Sequence, residues 1–377
     1  MIDICIIGGG AAGLTAAISA KEANSSLKVA IIEKKNQVGK KILVSGNGKC
    51  NMTNLACPGC GDTLDFFRRI GVITRKDSEG RVYPYTEEAR AVRDALVGRA
   101  RSLGVEIITS AEVLGINKQK NFHLDLGNKI IECGKVLIST GGKSSPQCGS
   151  TGDGYKFAKA FGHRVSKLIP VLTAIDVEED MEKLAGIRAK AGVSLTYKGE
   201  EVFSERGEVQ FTPAGVSGIC IFNMSRFLML PEGKTLKNGF DNYKIHIDFF
   251  PDNENLESLL QERIEHGFSG EKLLDYMIRK PIAERIIKLS GGDIRSASAL
   301  LKDFPLSPSG AKGWNFAQVT KGGVILDEVD SKTMESKLIK NLYFAGEVLD
   351  YDGPCGGFNL QYAWETGAKA GRGMARE

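Results

Sequence analysis

The chain begins with IDICII, Ile2 to Ile7, which runs directly into GGGAAG. No other feature limits the fold as much. Residues apolar on both alternating faces describe a parallel strand buried on both sides. Within the glycine cluster, Gly8, Gly10 and Gly13 satisfy G-x-G-x-x-G, and a helix rich in small residues follows from about Ala11 to Glu22. A second apolar strand, KVAIIE, ends on Glu33, twenty residues beyond Gly13. Together these make the full βαβ fingerprint of a dinucleotide site. Gly8 permits the tight turn, Gly10 lets the backbone approach a pyrophosphate, and Gly13 brings the helix close to the strand. The helix N-terminus then faces the phosphates with free N–H groups. Glu33 can accept hydrogen bonds from ribose 2′- and 3′-hydroxyls, and its charge disfavours a 2′-phosphate, so NADP does not suit this site. The fingerprint alone does not separate FAD from NAD.

At 377 residues the chain is too long for one ordinary core. Its 25% charged and 42% hydrophobic residues describe a globular protein. Net charge is only +4, and no Lys/Arg block is dense enough to track phosphates, so a nucleic-acid partner is not expected. The apolar start lacks a basic n-region and breaks on glycine, and no run approaches membrane-spanning length. Eight cysteines without an export signal read as reduced thiols, giving a cytoplasmic expectation with no membrane partner. Oligomeric state leaves no signature.

Later segments point to FAD. After a meander from about Glu112 to Cys133, KVLISTGG forms a buried strand (Val136 to Ser139) ending on Thr140, Gly141 and Gly142. Near the C-terminus, NLYFAGEVLD runs into Gly346 and Glu347, and GPCGGFNLQYAWETGAKAG opens a final helix. In flavoproteins such strands flank the same pocket as the fingerprint, and the last helix points its N-terminus at the N1–C2=O edge of the isoalloxazine. A helix dipole there stabilises the negative charge of the reduced flavin.

The chain resembles the BaiN/YhiN-like bacterial flavoproteins, described as NAD(P)/FAD-dependent oxidoreductases or the aminoacetone oxidase family. The blocks that carry the likeness are GGGAAG, GKKILVSGNGKCNMTN, GRVYP, STGGKSSPQCGSTGDGYKFAKAFGH, VTKGGV, KTMESK and LYFAGEVLDYDGPCGGFNLQYAWETG. The resemblance implies an α/β fold: a discontinuous Rossmann-like FAD-binding domain, an inserted β-rich, barrel-like domain and a small helical domain. The expected boundaries are 1–167 and 324–377 for the FAD domain, 168–252 with a return strand at 305–323 for the insertion, and 253–304 for the helices. Within that last segment LESLLQERI, EKLLDYMI and IAERIIKL all show 3.6-residue spacing.

Motif and resemblance together assign noncovalent FAD to Gly8, Gly10, Ala11, Ala12 and Gly13, and to Glu33 and Lys34. They add Ser45, Gly46, Asn47, Cys50 and Asn51 from the GNGKCN block, then Val113, Thr140, Gly141 and Gly142. The C-terminal share is Gly346, Glu347, Gly356, Gly357, Phe358, Asn359 and Leu360. GSTGDG, Gly149 to Gly154, reads as a helix-opening turn near the flavin.

Cys57-Pro58-Gly59-Cys60 is a C-x-x-C, but no second C-x-x-C or paired histidines exist to complete a zinc site, and no metal is expected. A flavin-dependent disulfide reductase using Cys50, Cys57 and Cys60 is the rival reading. Against it stand the lack of any His after His266 and of a second complete fingerprint. The reading of Cys57 and Cys60 is therefore a surface turn with two free thiols. Cys50 either lines the pocket or packs behind it. Cys355 is a pocket candidate or a steric fit between glycines.

The resemblance also implies a His after FT in the inserted domain; Pro213 stands there instead, and Ile219 replaces a Pro. Weak candidates for catalysis are then Cys50, Arg81, Tyr83, Arg206, Tyr351 and Cys355. His163 reads as a helix-end cap and His123 as a strand residue. The functional expectation is hydride transfer between flavin N5 and a small organic substrate, by C=C reduction or by amine or alcohol oxidation, with NAD(P)H as a transient donor. A flavin-binding module without turnover is the alternative, and flavin-dependent RNA modification is disfavoured by the near-neutral charge.

Overall fold

The computed structural model describes residues 1–228 and 240–376. The chain divides into two compact units, 1–170 with 318–377 and 171–317.

The first unit is built on a seven-stranded sheet. Ile2–Ile7 is flanked in parallel by Val29–Ile32, with Ile4 opposite Val29, and by Ile130–Ile138, with Ile7 opposite Ile138. Glu106–Ile108 extends one side, and Leu342–Phe344 pairs with the end of Ile130–Ile138. The antiparallel strands Phe122–Asp125 and Gly115–Lys118 complete the meander. Ile4, Ile6, Ile31, Leu137, Ile138 and Phe344 are fully buried, as a sheet covered on both faces requires.

Small residues decide how the last helix, Phe358–Met374, lies on the first, Ala11–Ala23. A Cβ on Gly367 would come within 2.4 Å of the Ala12 carbonyl oxygen, and one on Gly371 within 2.3 Å of that of Ala16. The two backbones touch, so even alanine would force the helices apart, a strain of about 1–3 kcal/mol per site. Trp364, on the same helix, donates from Nε1 to the Met52 carbonyl (2.8 Å) and packs edge-on against Phe67 at 5.1 Å. The N- and C-terminal segments of the chain thereby share one core.

The second unit is an antiparallel seven-stranded sheet in which Arg188–Tyr197 and Glu200–Thr212 form a long hairpin. Its two edge strands, Phe304–Leu306 and Pro308–Ala311, are separated in sequence by Ser307 alone, so the two ends of the sheet are brought together. Helices Leu256–Glu265, Lys280–Ser290 and Ile294–Lys302 share the core of that sheet. Leu260, Ile286 and Leu301 pack with Leu195, Ile245 and Ile247 in one cluster, so the helical segment has no core of its own. EKLLDYMI departs from its periodicity: only a short 3-10 turn forms at Gly270–Lys272. Tyr276 adopts a left-handed φ of 64°, which ends any helix there. Residues 318–323, expected with the insertion, pack in the first unit.

Among the described residues no helix is long and apolar enough to cross a membrane.

Candidate functional site

Each fingerprint glycine has a separate structural reason. Gly8 has φ 101°, and its Cβ would sit 2.5 Å from the Ser139 carbonyl oxygen. A Cβ on Gly13 would lie 2.0 Å from the Gly8 carbonyl oxygen, so helix and strand touch there. Gly10 differs: its Cβ would meet no protein atom within 4 Å. The open side of Gly10 is the approach a diphosphate needs. It lies at the start of a 13-residue helix whose N-cap provides no side-chain hydrogen bond, leaving the first-turn N–H groups of Ala11, Ala12 and Gly13 for an anion.

Glu33 is fixed by two backbone donors, Gly9 N (3.0 Å) and Lys35 N (2.8 Å), one to each oxygen. Each oxygen keeps a lone pair for a ribose hydroxyl. Ser110 and Ala111 donate to the Lys35 and Glu33 carbonyls, at 2.9 and 3.0 Å, which holds buried Val113 near this end of the site. Lys34 turns away into an ion pair with Asp153, the first residue of Asp153–Ala160, and a hydrogen bond to Thr151. GSTGDG does open a helix, with Gly152 as its N-cap.

The GNGKCN block is a run of left-handed residues: Gly46 (φ 55°), Asn47 (54°), Gly48 (83°) and Cys50 (58°). Residues 46–49 are exposed, and Ser45 Oγ is spent on the Ile42 carbonyl (2.7 Å). Cys50 is fully buried, and desolvation pushes its thiol up to about 12. With no accessible surface it packs behind the site and remains a neutral thiol. Asn51 Oδ1 is buried without a hydrogen-bond partner, 2.9 Å from where a Gly357 Cβ would be. A buried amide oxygen is ordinarily paired, so a bound ligand or an ordered water is its expected partner.

Gly142 is buried beneath Glu347 and Thr320, its Cβ position lying 2.8 Å from Glu347 Oε1 and 2.4 Å from Thr320 Oγ1. Both oxygens of Glu347 are engaged by the protein: Oε1 accepts from Thr320 N (2.8 Å) and Oε2 pairs with Lys41 Nζ (2.5 Å). Thr320 Oγ1 in turn accepts from Lys143 N and Ser144 N, at 2.8 and 3.0 Å. Glu347 therefore organises the turn after Thr140 and Gly141. Neither Lys41 nor Thr320 announces this role in the sequence, because 306 positions separate Lys41 from its partner. Gly346, with φ 76°, brings the same strand end against Ala12.

The last helix opens at Gly357 (φ 101°), again without a side-chain cap, so Phe358, Asn359 and Leu360 present free N–H groups. Asn359 closes the preceding turn, accepting from Gly353 N (2.8 Å) and donating to the Gly353 carbonyl (2.9 Å). Asn54 Nδ2 donates to the Gly356 carbonyl (3.2 Å), and Arg81 Cδ lies 3.9 Å from the Gly356 Cβ position. Arg81, held by Asp77 (2.7 Å) and Glu79 (2.8 Å), shares one face of strand Arg81–Pro84 with Tyr83. Burial pushes the Tyr83 phenol above its ordinary value, against the pull of Arg81. The blocks GNGKCN, GRVYP and GPCGGFN therefore converge on one helix N-terminus.

Other candidates fall elsewhere. Arg206 lies in the second unit, exposed and paired with Asp252 (2.5 Å). Pro213 is exposed at the two-residue turn of a hairpin in that unit. Tyr351 stacks on Tyr362 at 3.9 Å and 14°, and Cys355 is half-buried in the glycine turn. Cys57 and Cys60 are free thiols, but at 6% and 8% exposure they are not on the surface: the turn leans on the last helix. His163 does not cap with its ring. Its backbone N donates to Ala158, while Nδ1 and Nε2 meet Glu328 (3.1 Å) and Ser336 (2.7 Å).

A family model described as "HI0933-like protein Rossmann domain" matches residues 2–60 and 59–373. The chain is 33% identical to the 3-dehydro-bile acid delta(4,6)-reductase of Clostridium scindens, over 100% of this chain and 99% of that protein. It is 31% identical to the ribosomal RNA dihydrouridine synthase of Escherichia coli, over 97% and 96%. Among solved structures, the open conformation of a flavocytochrome c3 fumarate reductase matches with a TM-score of 0.53 at 14% identity, over 99% of this chain and 78% of that one. A 3-ketosteroid-delta4-(5alpha)-dehydrogenase from Rhodococcus jostii RHA1 matches with a TM-score of 0.50 at 15% identity, over 100% and 97%. The solved structures share the fold. The chain belongs to the HI0933-like family, the BaiN/YhiN flavoproteins, and is an FAD-dependent oxidoreductase.

Proposed function

We propose that the chain reduces a carbon–carbon double bond conjugated with a carbonyl in a small organic substrate, with NAD(P)H docking transiently as electron donor. One observation carries this reading. Relatives matched over nearly their whole length are named for reductions that fit it: a 3-dehydro-bile acid delta(4,6)-reductase and a ribosomal RNA dihydrouridine synthase.

Bound FAD supplies the hydride from N5 of its reduced form. On this reading Gly10 and the N–H groups of Ala11 to Gly13 receive the pyrophosphate, and Glu33 accepts from the ribose. The N-terminus at Phe358 to Leu360 places positive dipole where negative charge gathers. Conjugate reduction also needs a proton at the carbon next to the carbonyl. On this reading Tyr83 Oη is the source: a phenol is protonated at neutral pH, and burial pushes its pKa higher still. The neighbouring Arg81, fixed by Asp77 and Glu79, stabilises the tyrosinate left behind.

Uridine in ribosomal RNA is the second reading, favoured by the names of the Escherichia coli and Haemophilus influenzae relatives. A net charge of +4 without a basic stripe favours the small molecule. The test is anaerobic: NAD(P)H should bleach the flavin, and a 3-keto-4-ene steroid should restore its colour. Recovery with a ribosomal RNA transcript alone would move the substrate class to RNA. Recovery with neither would sink the proposal.

A further inference from the structure

Cys57 and Cys60 take no part in the reaction above, yet the fold gives them a defined setting. Cys60 N donates to the Cys57 carbonyl (3.2 Å) across Pro58 and Gly59, and Gly59 is left-handed at φ 73°. A turn closed by that bond keeps its end Cα atoms within about 7 Å, the range a disulfide spans. Both residues are free thiols, and burial holds Cys57 above its ordinary pKa. An open groove of about 620 Å³ between the first helix, Cys60–Arg69 and the last helix is lined by Gly59, Thr63 and Gln361, which brings solvent to the middle of the turn, beside the two buried thiols.

The turn also touches the last helix. Pro58 accepts from Gln361 Nε2 (3.4 Å), and Gln361 Oε1 accepts from Thr53 Oγ1 (2.6 Å). Gln361 is buried in the opening turn of that helix, directly after Leu360, and Gly59's Cβ position is 3.5 Å from its Nε2. The Cys57–Cys60 turn is thereby bonded to the opening turn of that helix.

We propose that Cys57 and Cys60 are a peroxide-responsive dithiol that closes to a disulfide and weakens FAD binding through Gln361. One thiol gives up its proton as its sulfur attacks the O–O bond of hydrogen peroxide; the bond breaks, giving a sulfenic acid and water, and the raised pKa of Cys57 makes this step slow. The second thiol attacks the sulfenic sulfur, the S–S bond forms, and water leaves. Overall two thiols are oxidised and one peroxide becomes two waters; a dithiol reductant reverses the change. Cys50, fully buried and held as a thiol, takes no part. The coupling to FAD rests on the cofactor site described above, whereas the disulfide does not.

The experiment treats the FAD-loaded protein with hydrogen peroxide, alkylates free thiols, and maps the cysteine peptides by mass. The expected product is a Cys57–Cys60 peptide that has lost two hydrogens, escapes alkylation, and is restored by dithiothreitol. FAD affinity should fall about fivefold in the oxidised protein, at the low end of couplings between sites. Cys57→Ser protein should keep its affinity through the same treatment. Alkylation of both cysteines after peroxide, or a hydrogen loss mapped to any other pair, would overturn the disulfide. A mapped disulfide with unchanged FAD affinity, or an equal loss in Cys57→Ser, would overturn the coupling. Failure of untreated protein to bind FAD would instead strike the cofactor reading, with the thiol map still deciding this proposal.

Discussion

Replacing Gly10 with alanine separates binding from folding in one substitution. Gly10 has φ −83° and ψ −162°, extended backbone open to any residue, and its Cβ would meet no protein atom within 4 Å. Alanine there adds no strain and reduces the freedom of the unfolded chain, a gain of about 0.4–1 kcal/mol in the stability of the apoprotein. On the proposed reading the same methyl group stands where the backbone approaches a pyrophosphate. Overpacking of one methyl costs about 1–3 kcal/mol, which weakens FAD binding about 5- to 150-fold. Gly13→Ala is the converse control. Its methyl would lie 2.0 Å from the Gly8 carbonyl oxygen, so it should unfold earlier in urea whether or not FAD is present. The assay pairs urea unfolding of the apoprotein with titration of FAD fluorescence. The reasoning is refuted if Gly10→Ala binds FAD like the parent, or unfolds markedly earlier without it.

Other outcomes follow from the same geometry. Tyr83→Phe should leave bleaching by NAD(P)H unchanged but slow reoxidation by an enone about 100-fold, the lower range for a lost general acid; stopped-flow absorbance separates the two halves. Iodoacetamide at pH 8 should spare Cys50 in the native protein and label it after unfolding, because burial holds its pKa near 12. Burial depresses the pKa of His163, outweighing Glu328. The unfolded chain thus binds the proton more tightly, and stability present above about pH 6.5 is lost as pH falls through the folded-state value. Urea midpoints at pH 7.5 and 5.5 should differ less in His163→Gln than in the parent.

Features built from neighbours in sequence were readable from it. Gly13 meets Gly8 within one βαβ unit, so its spacing carried its packing role, and the strand leading to Gly346 declared itself by its apolar run; the contact of Gly8 with Ser139, on a later strand, had no such signal. Long-range partners were not readable. Lys41 reaches Glu347, Thr320 ties down the turn after Gly142, and Asn54 holds the Gly356 carbonyl; nothing local marks any of these. Burial of a short polar turn was equally hidden: CPGC reads as surface until the last helix is seen to cover it. EKLLDYMI carried helical spacing, but the left-handed Tyr276 shows tertiary packing overriding the pattern.

The most direct test of the account is the structure of the product. The protein, NAD(P)H and a 3-keto-4-ene steroid are incubated without oxygen, and the recovered steroid is read by NMR and mass. Two hydrogens should be added across the conjugated double bond with the ketone intact. A ketone reduced to an alcohol with the double bond retained would contradict it.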